Sequence, residues 1–263
     1  MSNFLINPYS YPSGVSYPDG LGSSCDASLS GGFSLSESIY KLGTGSVGFK
    51  ITDSDASATA NAVTTTPAMT TVGSIACWFN ASTGNSGKNL YAFGDTSASQ
   101  YLSIRFFTDA TRGDCLDVKC KIPTGTTWQF FSSNDSISYN DSFTTWFHFA
   151  LVQNGTEPKC YINGSEDTVD WAGEIDKTKW VSAITGGDNF TIGCRNNNNS
   201  GNTAFCKSYV DDFGIWNRAL SSAEVSSLGS GSGNLCSTIT DGLRVYYNMD
   251  SIDDDKLVNQ AIP

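Results

Sequence analysis

The chain has 263 residues, enough for one large domain or two small ones, with a core that needs neither disulfides nor metals to hold it. Fifteen Lys and Arg against 26 Asp and Glu give a net charge of −11, which excludes a nucleic-acid surface built on counterion release and repels an anionic membrane. The single histidine, His148, excludes a His-cluster metal centre.

No apolar run approaches the roughly 20 residues that span a bilayer, so membrane insertion is not expected. The opening residues, Met1 to Pro8, lack the basic and long apolar regions of a secretory signal. Pro8, Pro12 and Pro18 in a Tyr/Ser/Gly context make 1–40 read as an extended arm. From residue 41 the apolar period is two. Ile75, Cys77 and Phe79 share one face of 74–80, Leu102, Ile104 and Phe106 one face of 101–108, and Leu116, Val118, Cys120 and Ile122 one face of the next run. The run from Trp146 to Val152 is apolar on both faces, as in a doubly covered central strand.

Further strands fit 160–163, 190–195 and 209–216, with Asn154-Gly155 and Asn163-Gly164 as hairpin turns. A short helix is predicted after Ser221. Ser221 and Glu224 form a capping box, Leu220 and Val225 a hydrophobic staple, and Gly229 falls at the C′ position. A Gly/Ser joint over 229–233 leads to a last strand at 243–249, with Leu243, Val245, Tyr247 and Met249 on one face. Many short antiparallel strands separated by turn signals predict a β-sandwich.

Six pieces occur in a telling order: Lys41-Leu42-Gly43-Thr44-Gly45-Ser46-Val47-Gly48-Phe49, Ser74-Ile75-Ala76-Cys77-Trp78-Phe79, Tyr91-Ala92-Phe93-Gly94-Asp95, Trp146 to Val152 leading to Cys160-Tyr161-Ile162-Asn163-Gly164, Phe190-Thr191-Ile192-Gly193, and Tyr209 through Ser221. In this order over 41–229 the chain resembles the laminin-G-like branch of the concanavalin A-like lectin/glucanase superfamily. The resemblance implies an all-β fold, a two-sheet antiparallel jelly-roll sandwich over 41–229 with one short helix, followed by a segment, 230–263, whose strand completes it. The family's opening strand, roughly Gly-Leu-x-x-Tyr-Trp-x-Phe-Asp, appears here at the other end, as Gly242-Leu243-Arg244-Val245-Tyr246-Tyr247-Asn248-Met249-Asp250. Either this strand closes the sheet in place of a first strand, or it opens a second repeat; the former leaves no unpaired apolar edge.

Glu174-Ile175-Asp176 resembles the first half of the Glu-x-Asp-x-x-Glu motif of glucanases that share the fold, but Lys179 stands where the second Glu belongs. Retaining hydrolysis needs two carboxyls about 5–5.5 Å apart, so this stretch reads as a solvated loop and no catalytic residue is expected. His148 has no nucleophile motif beside it and reads as a framework residue. Laminin-G-like relatives often hold Ca²⁺ through rim aspartates. The resemblance makes Asp95, Asp211 and Asp212, and the pair Asp53 and Asp55, candidate ligands, although no cofactor is required; Asp253-Asp254-Asp255 reads as a solvated turn.

Of eight cysteines, Cys77, Cys120, Cys160 and Cys194 fall on strands as small hydrophobes, and Cys194 with Cys206 is the best candidate bridge. Mostly reduced thiols fit folding in a host cytosol. Trp128, Trp171 and Trp180 lie in or beside polar loops and are candidate platforms for sugar rings. Together these features point to a non-catalytic structural and binding module on a virion surface, as a capsid decoration or fibre component of a virus or phage. Its expected partners are other virion proteins and cell-surface glycans. A secreted or cell-surface lectin-like adhesin using Ca²⁺ is the alternative, and a glycoside hydrolase the third reading.

Overall fold

A computed structural model describes residues 26–51, 56–61, 70–133, 137–231, 233 and 235–261. The strands are β1 (Ala27–Gly31), β2 (Ser34–Ser36), β3 (Ser46–Phe49), β4 (Ala56–Asn61), β5 (Gly73–Ala81), β6 (Asn89–Gly94), β7 (Tyr101–Asp109), β8 (Gly113–Ile122) and β9 (Gly125–Phe131). They continue with β10 (Phe147–Gln153), β11 (Pro158–Ile162), β12 (Ser165–Glu166), β13 (Asp170–Glu174), β14 (Asn189–Ile192), β15 (Arg195–Asn196), β16 (Asn202–Thr203), β17 (Ser208–Trp216), β18 (Leu243–Tyr247) and β19 (Lys256–Leu257), and α1 spans Ser222–Gly229.

Two antiparallel sheets result. The nine-stranded sheet runs β13-β9-β8-β7-β6-β14-β4-β1-β19; the eight-stranded sheet runs β12-β11-β10-β5-β17-β3-β2, with β18 also pairing β17. β15 and β16 form a separate small hairpin. Alternation explains the layering. Leu102, Ile104 and Phe106 on β7 and Leu116, Val118 and Cys120 on β8 point inward, and they meet Ile75, Cys77 and Phe79 on β5 and Phe147, Phe149 and Leu151 on β10 in one buried core. This is the jelly-roll sandwich that the alternation and the family likeness predict.

β5 and β10 are buried on both faces because the eight-stranded sheet carries a second apolar layer outside it. There Ala76, Ala150, Val152 and Trp216 pack against Val225, Leu228, Cys236, Leu243 and Tyr246. Helix α1 lies in that layer, capped as the sequence predicts: Ser221 accepts from the Glu224 N–H, and the Glu224 carboxylate accepts from the Ser221 N–H at 2.7 Å. Gly229 differs from expectation. It is the last helical residue, not a C′ residue, and a Cβ there would fall 2.2 Å from the backbone nitrogen of Gly164, in the Asn163-Gly164 turn. Close backbone approach is what demands glycine.

The N-terminal boundary also differs. β1 pairs with β4 and β19, and β2 pairs with β3, so 27–36 belongs to the sandwich and not to an arm; residues 1–25 lie outside the described residues. At the other end β18 lies beside β17. A register shift between Ile215 and Trp216 places Leu243 in the outer layer, while Val245, Tyr247 and Met249 enter the main core. Of the predicted loop at 174–176, Glu174 ends edge strand β13 while Ile175 and Asp176 lie in the loop after it, and Trp128 lies on β9. The seven described cysteines are buried free thiols, so Cys194 and Cys206 are not bridged.

Candidate functional site

The predicted aspartates are hydrogen-bond acceptors in three different tasks. Asp95 follows β6, and its Oδ1 accepts from the Ser97 N–H at 2.8 Å, the Ser97 hydroxyl at 2.7 Å and the Ala98 N–H at 3.1 Å, while Oδ2 accepts from Gln100 at 2.7 Å. Burial pushes its pKa up, but the donors from Ser97, Gln100 and Ala98 outweigh that and hold the carboxyl below its ordinary value. Asp211, on β17, fastens the chain before β3: its Oδ2 accepts from the N–H groups of Lys41 and Leu42, both at 2.8 Å. Asp212 accepts from the Cys236 N–H at 2.9 Å. Burial raises Asp211 to about 7 and Asp212 to about 6.

A calcium ion takes six to eight oxygen ligands. The committed oxygens of Asp95 and the single unpartnered oxygen of Asp211, its Oδ1, do not fit that demand. Among the described residues no cluster of three or more acidic, His or Cys side chains is placed to hold a metal. Asp53 and Asp55 lie outside the described residues.

The predicted tryptophan platform is corrected by burial. Trp128 is fully buried, stacked on Phe130, and donates its Nε1–H to the Lys179 carbonyl at 2.9 Å; Trp180 is also buried. Trp171 on edge strand β13 is half-buried, edge-on to Phe130, with the Lys177 ammonium 3.9 Å from its ring centre. Trp128 and Trp180 offer no ring to solvent, and Trp171 is only partly exposed. Large aromatics flanked by polar residues look like loop platforms in sequence, but here Trp128 faces the core from strand β9 and Trp180 faces it from the turn before Val181.

Glu174 pairs with Lys177 at 2.8 Å, and Asp176 with Lys179 at 3.1 Å. Both carboxylates are held on one turn instead of facing each other across a groove. His148 is buried edge-on against Trp78, its ring centre 5.2 Å away, and burial depresses its pKa to about 3.

The outer side of the nine-stranded sheet is a further polar face, one that carries no sequence motif. With Leu102, Ile104 and Phe106 inward, alternation turns Tyr101, Ser103 and Arg105 outward, and register sets them opposite Lys121, Lys119 and Asp117 of β8. Gln129 of β9 continues the row from Lys119. Asp117, with no exposed surface, accepts from Arg105 Nε at 2.6 Å and from Gln129 Nε2 at 2.9 Å, so one buried carboxylate aims both side chains. The β15–β16 hairpin makes a wall along one side. It crosses the sheet at Gly94, where a Cβ would lie 2.9 Å from the Asn196 carbonyl oxygen. It also lays the Arg195 guanidinium 4.7 Å from the Tyr101 ring centre. Tyr101, Arg105, Lys119, Lys121, Gln129 and Arg195 are all half-buried, standing on a floor of β-sheet that no helix covers among the described residues. This is a polar ledge in which Asp117 orients Arg105 and Gln129.

The model of the Laminin_G_3 family, of the concanavalin A-like lectin/glucanases superfamily, matches residues 52–226. No curated protein sequence matches the chain. Among solved structures, the botulinum neurotoxin serotype G binding domain superposes with a TM-score of 0.52 at 18% identity, covering 79% of this chain and 47% of that chain. The NanB sialidase from Streptococcus pneumoniae superposes with a TM-score of 0.50 at 19% identity, covering 60% of this chain and 24% of that chain. The CBM40 of a Ruminococcus gnavus IT-sialidase, bound to alpha2,3 sialyllactose, gives a TM-score of 0.46 at 15% identity, covering 60% of this chain and 83% of that chain. The chain thus spans less than half of the neurotoxin chain and less than a third of the sialidase. These likenesses are of fold.

Proposed function

We propose, for a chain that belongs to the Laminin_G_3 family of the concanavalin A-like lectin/glucanases superfamily, that it binds carbohydrate without transforming it. The observation that carries this reading is the open outer face of the nine-stranded sheet, where Asp117 holds Arg105 and Gln129 in fixed orientations beside Tyr101 and Lys119. Planar amide and guanidinium groups held rigidly suit the hydroxyls of a sugar, and preorganisation spares the ordering cost of binding. Between the two activities in the superfamily's name, the ion-paired Glu174 and Asp176 favour the lectin over the glucanase.

The test is retention on an array of defined glycans. Gln129→Ala is expected to weaken retention about tenfold, the effect of losing roughly 1.4 kcal/mol of hydrogen bonding, and Glu174→Gln and a calcium chelator are expected to leave it unchanged. Reducing-sugar release that Glu174→Gln abolishes would replace binding with hydrolysis.

The place of action belongs to the same reading: the exterior of a virion, as a capsid decoration or fibre component. The seven buried free thiols support it, since they suit a chain that folds in a reducing cytosol. Antibodies against the chain are expected to label intact purified particles; labelling of cell surfaces with bare particles would favour the adhesin.

A further inference from the structure

The open ledge gathers positive charge in a chain whose net charge is −11. Arg105 on β7, Lys121 on β8 and Arg195 on the hairpin wall lie around Lys119 of β8, and the carboxylate among them, Asp117, already has its two oxygens on Arg105 and Gln129. Lys121 donates to the Ser99 hydroxyl at 2.9 Å. The Lys119 ammonium has no hydrogen bond or ion pair among the described residues. Burial lowers its pKa; Asp117 opposes that, and the charges of Arg105, Lys121 and Arg195 lower it further. A lysine crowded by three cations is a group that a bound anion would relieve.

A second observation points to the same place. Asn89 of β6 stands opposite Arg105 in register and so lies on the same side of the sheet. It is fully buried, and both atoms of its amide lack partners, as does the buried Nε of Arg195. Unpaired buried polar atoms are costly and rare. Here they border the cation cluster, where an ordered water shared with a ligand's acid group would satisfy them.

We propose, resting on the reading of this face as a glycan site, that its ligand is an acidic sugar whose carboxylate or sulfate sits between Lys119, Arg105 and Arg195. Lys119 contributes the point charge. Arg105 keeps Nε and Nη2 on Asp117 and turns the Nη1 side of its fork to the acid group. Arg195, stacked on Tyr101, closes the seat from the hairpin side. A neutral sugar would leave Lys119 and Arg195 uncompensated and gain none of these charge-assisted bonds.

The experiment measures binding of the intact chain to three probes on one scaffold: lactose, 3′-sialyllactose and 3′-sulfated lactose, beside an array of neutral, sialylated, sulfated and uronic-acid glycans. One or both charged forms are expected to bind at least about tenfold tighter than lactose, with affinity falling as salt rises. The comparison of carboxylate with sulfate assigns the acid group. Lys119→Met is expected to abolish that preference while thermal unfolding stays unchanged, and Lys119→Arg to restore most of it. Retention of neutral glycans alone overturns the acidic-ligand inference and leaves glycan binding standing. Retention of no glycan overturns both, and an acid preference that survives Lys119→Met overturns the placement of the acid group.

Discussion

The eight-stranded and nine-stranded sheets each turn one face toward the shared core and differ in what lies on the other. Behind the first, α1 and the segment through Cys236 and Tyr246 build a second apolar layer around Trp216. Behind the second lie a hairpin wall and a row of half-buried Tyr, Arg, Lys and Gln. Among the described residues, one outer face is therefore covered by an apolar layer, and the other carries only the small hairpin. The same period-two rule produces both, so the difference lies in the alternate residues: Ala76, Ala150 and Val152 on one side, Ser103, Lys119 and Gln129 on the other.

If that division of labour is right, substitutions on the covered face change stability and leave binding alone. The largest effect is expected from Trp216→Ala, which removes a fully buried ring and its Nε1–H bond to the Ile239 carbonyl at 2.8 Å; a loss of about 3–5 kcal/mol in denaturant unfolding is expected. Gly229→Ala forces α1 away from the Asn163-Gly164 turn, and about 1–3 kcal/mol should be lost. Ser221→Ala removes the capping box, at about 1 kcal/mol. On the open face Lys119→Met should move stability by less than about 0.5 kcal/mol. A Trp216→Ala protein as stable as the parent would erase the contrast between the faces.

The pH profile sharpens the comparison, because the titrating groups sit under the covered face. Asp211 and Asp212 have folded-state pKa values of about 7 and about 6, above the ordinary carboxylate value of 3.8. Their contribution is fully present below the unfolded pKa and is lost as pH rises through 6 and 7. His148 works in the opposite sense: its folded pKa of about 3 lies below 6.5, so its contribution is present above 6.5 and lost as pH falls toward 3. Thermal midpoints are thus expected to rise as pH is lowered from 8 to 6, and Asp211→Asn should flatten that rise. A midpoint that falls over the same interval would contradict the burial of the two carboxylates.

Much of the scaffold could be read from residue order. The inward faces of β5, β7, β8 and β10, the helix cap and the turn at Asn163-Gly164 follow from alternation and capping chemistry, which are local. The short strands were harder. β9 and β13 carry Trp128 and Trp171 among polar residues, and nothing local says that Trp128 fills the core. The tasks of the aspartates are hidden for a related reason: which oxygens are spent depends on backbone N–H groups distant in sequence, such as Lys41 and Leu42 for Asp211. Yet the ledge was visible in principle. Once Leu102, Ile104 and Phe106 are assigned inward, Tyr101, Ser103 and Arg105 must point the other way. The wall that completes it was not, because Arg195 reaches Tyr101 only through the fold.

The pairing of β1 with β19 bears on how the molecule carries force. Ala27 lies opposite Leu257 and Ser28 opposite Lys256, and Asp26 accepts from the Asn259 N–H at 2.9 Å. Because the two strands run in opposite directions, the chain leading into one and the chain leaving the other depart from the same end of the pair. A pull between residues 26 and 259 would open the rungs one after another, as a zipper, instead of shearing them together. The two-residue clasp would give way first and leave the ledge on β7, β8 and β9 undisturbed at the far side of the sheet.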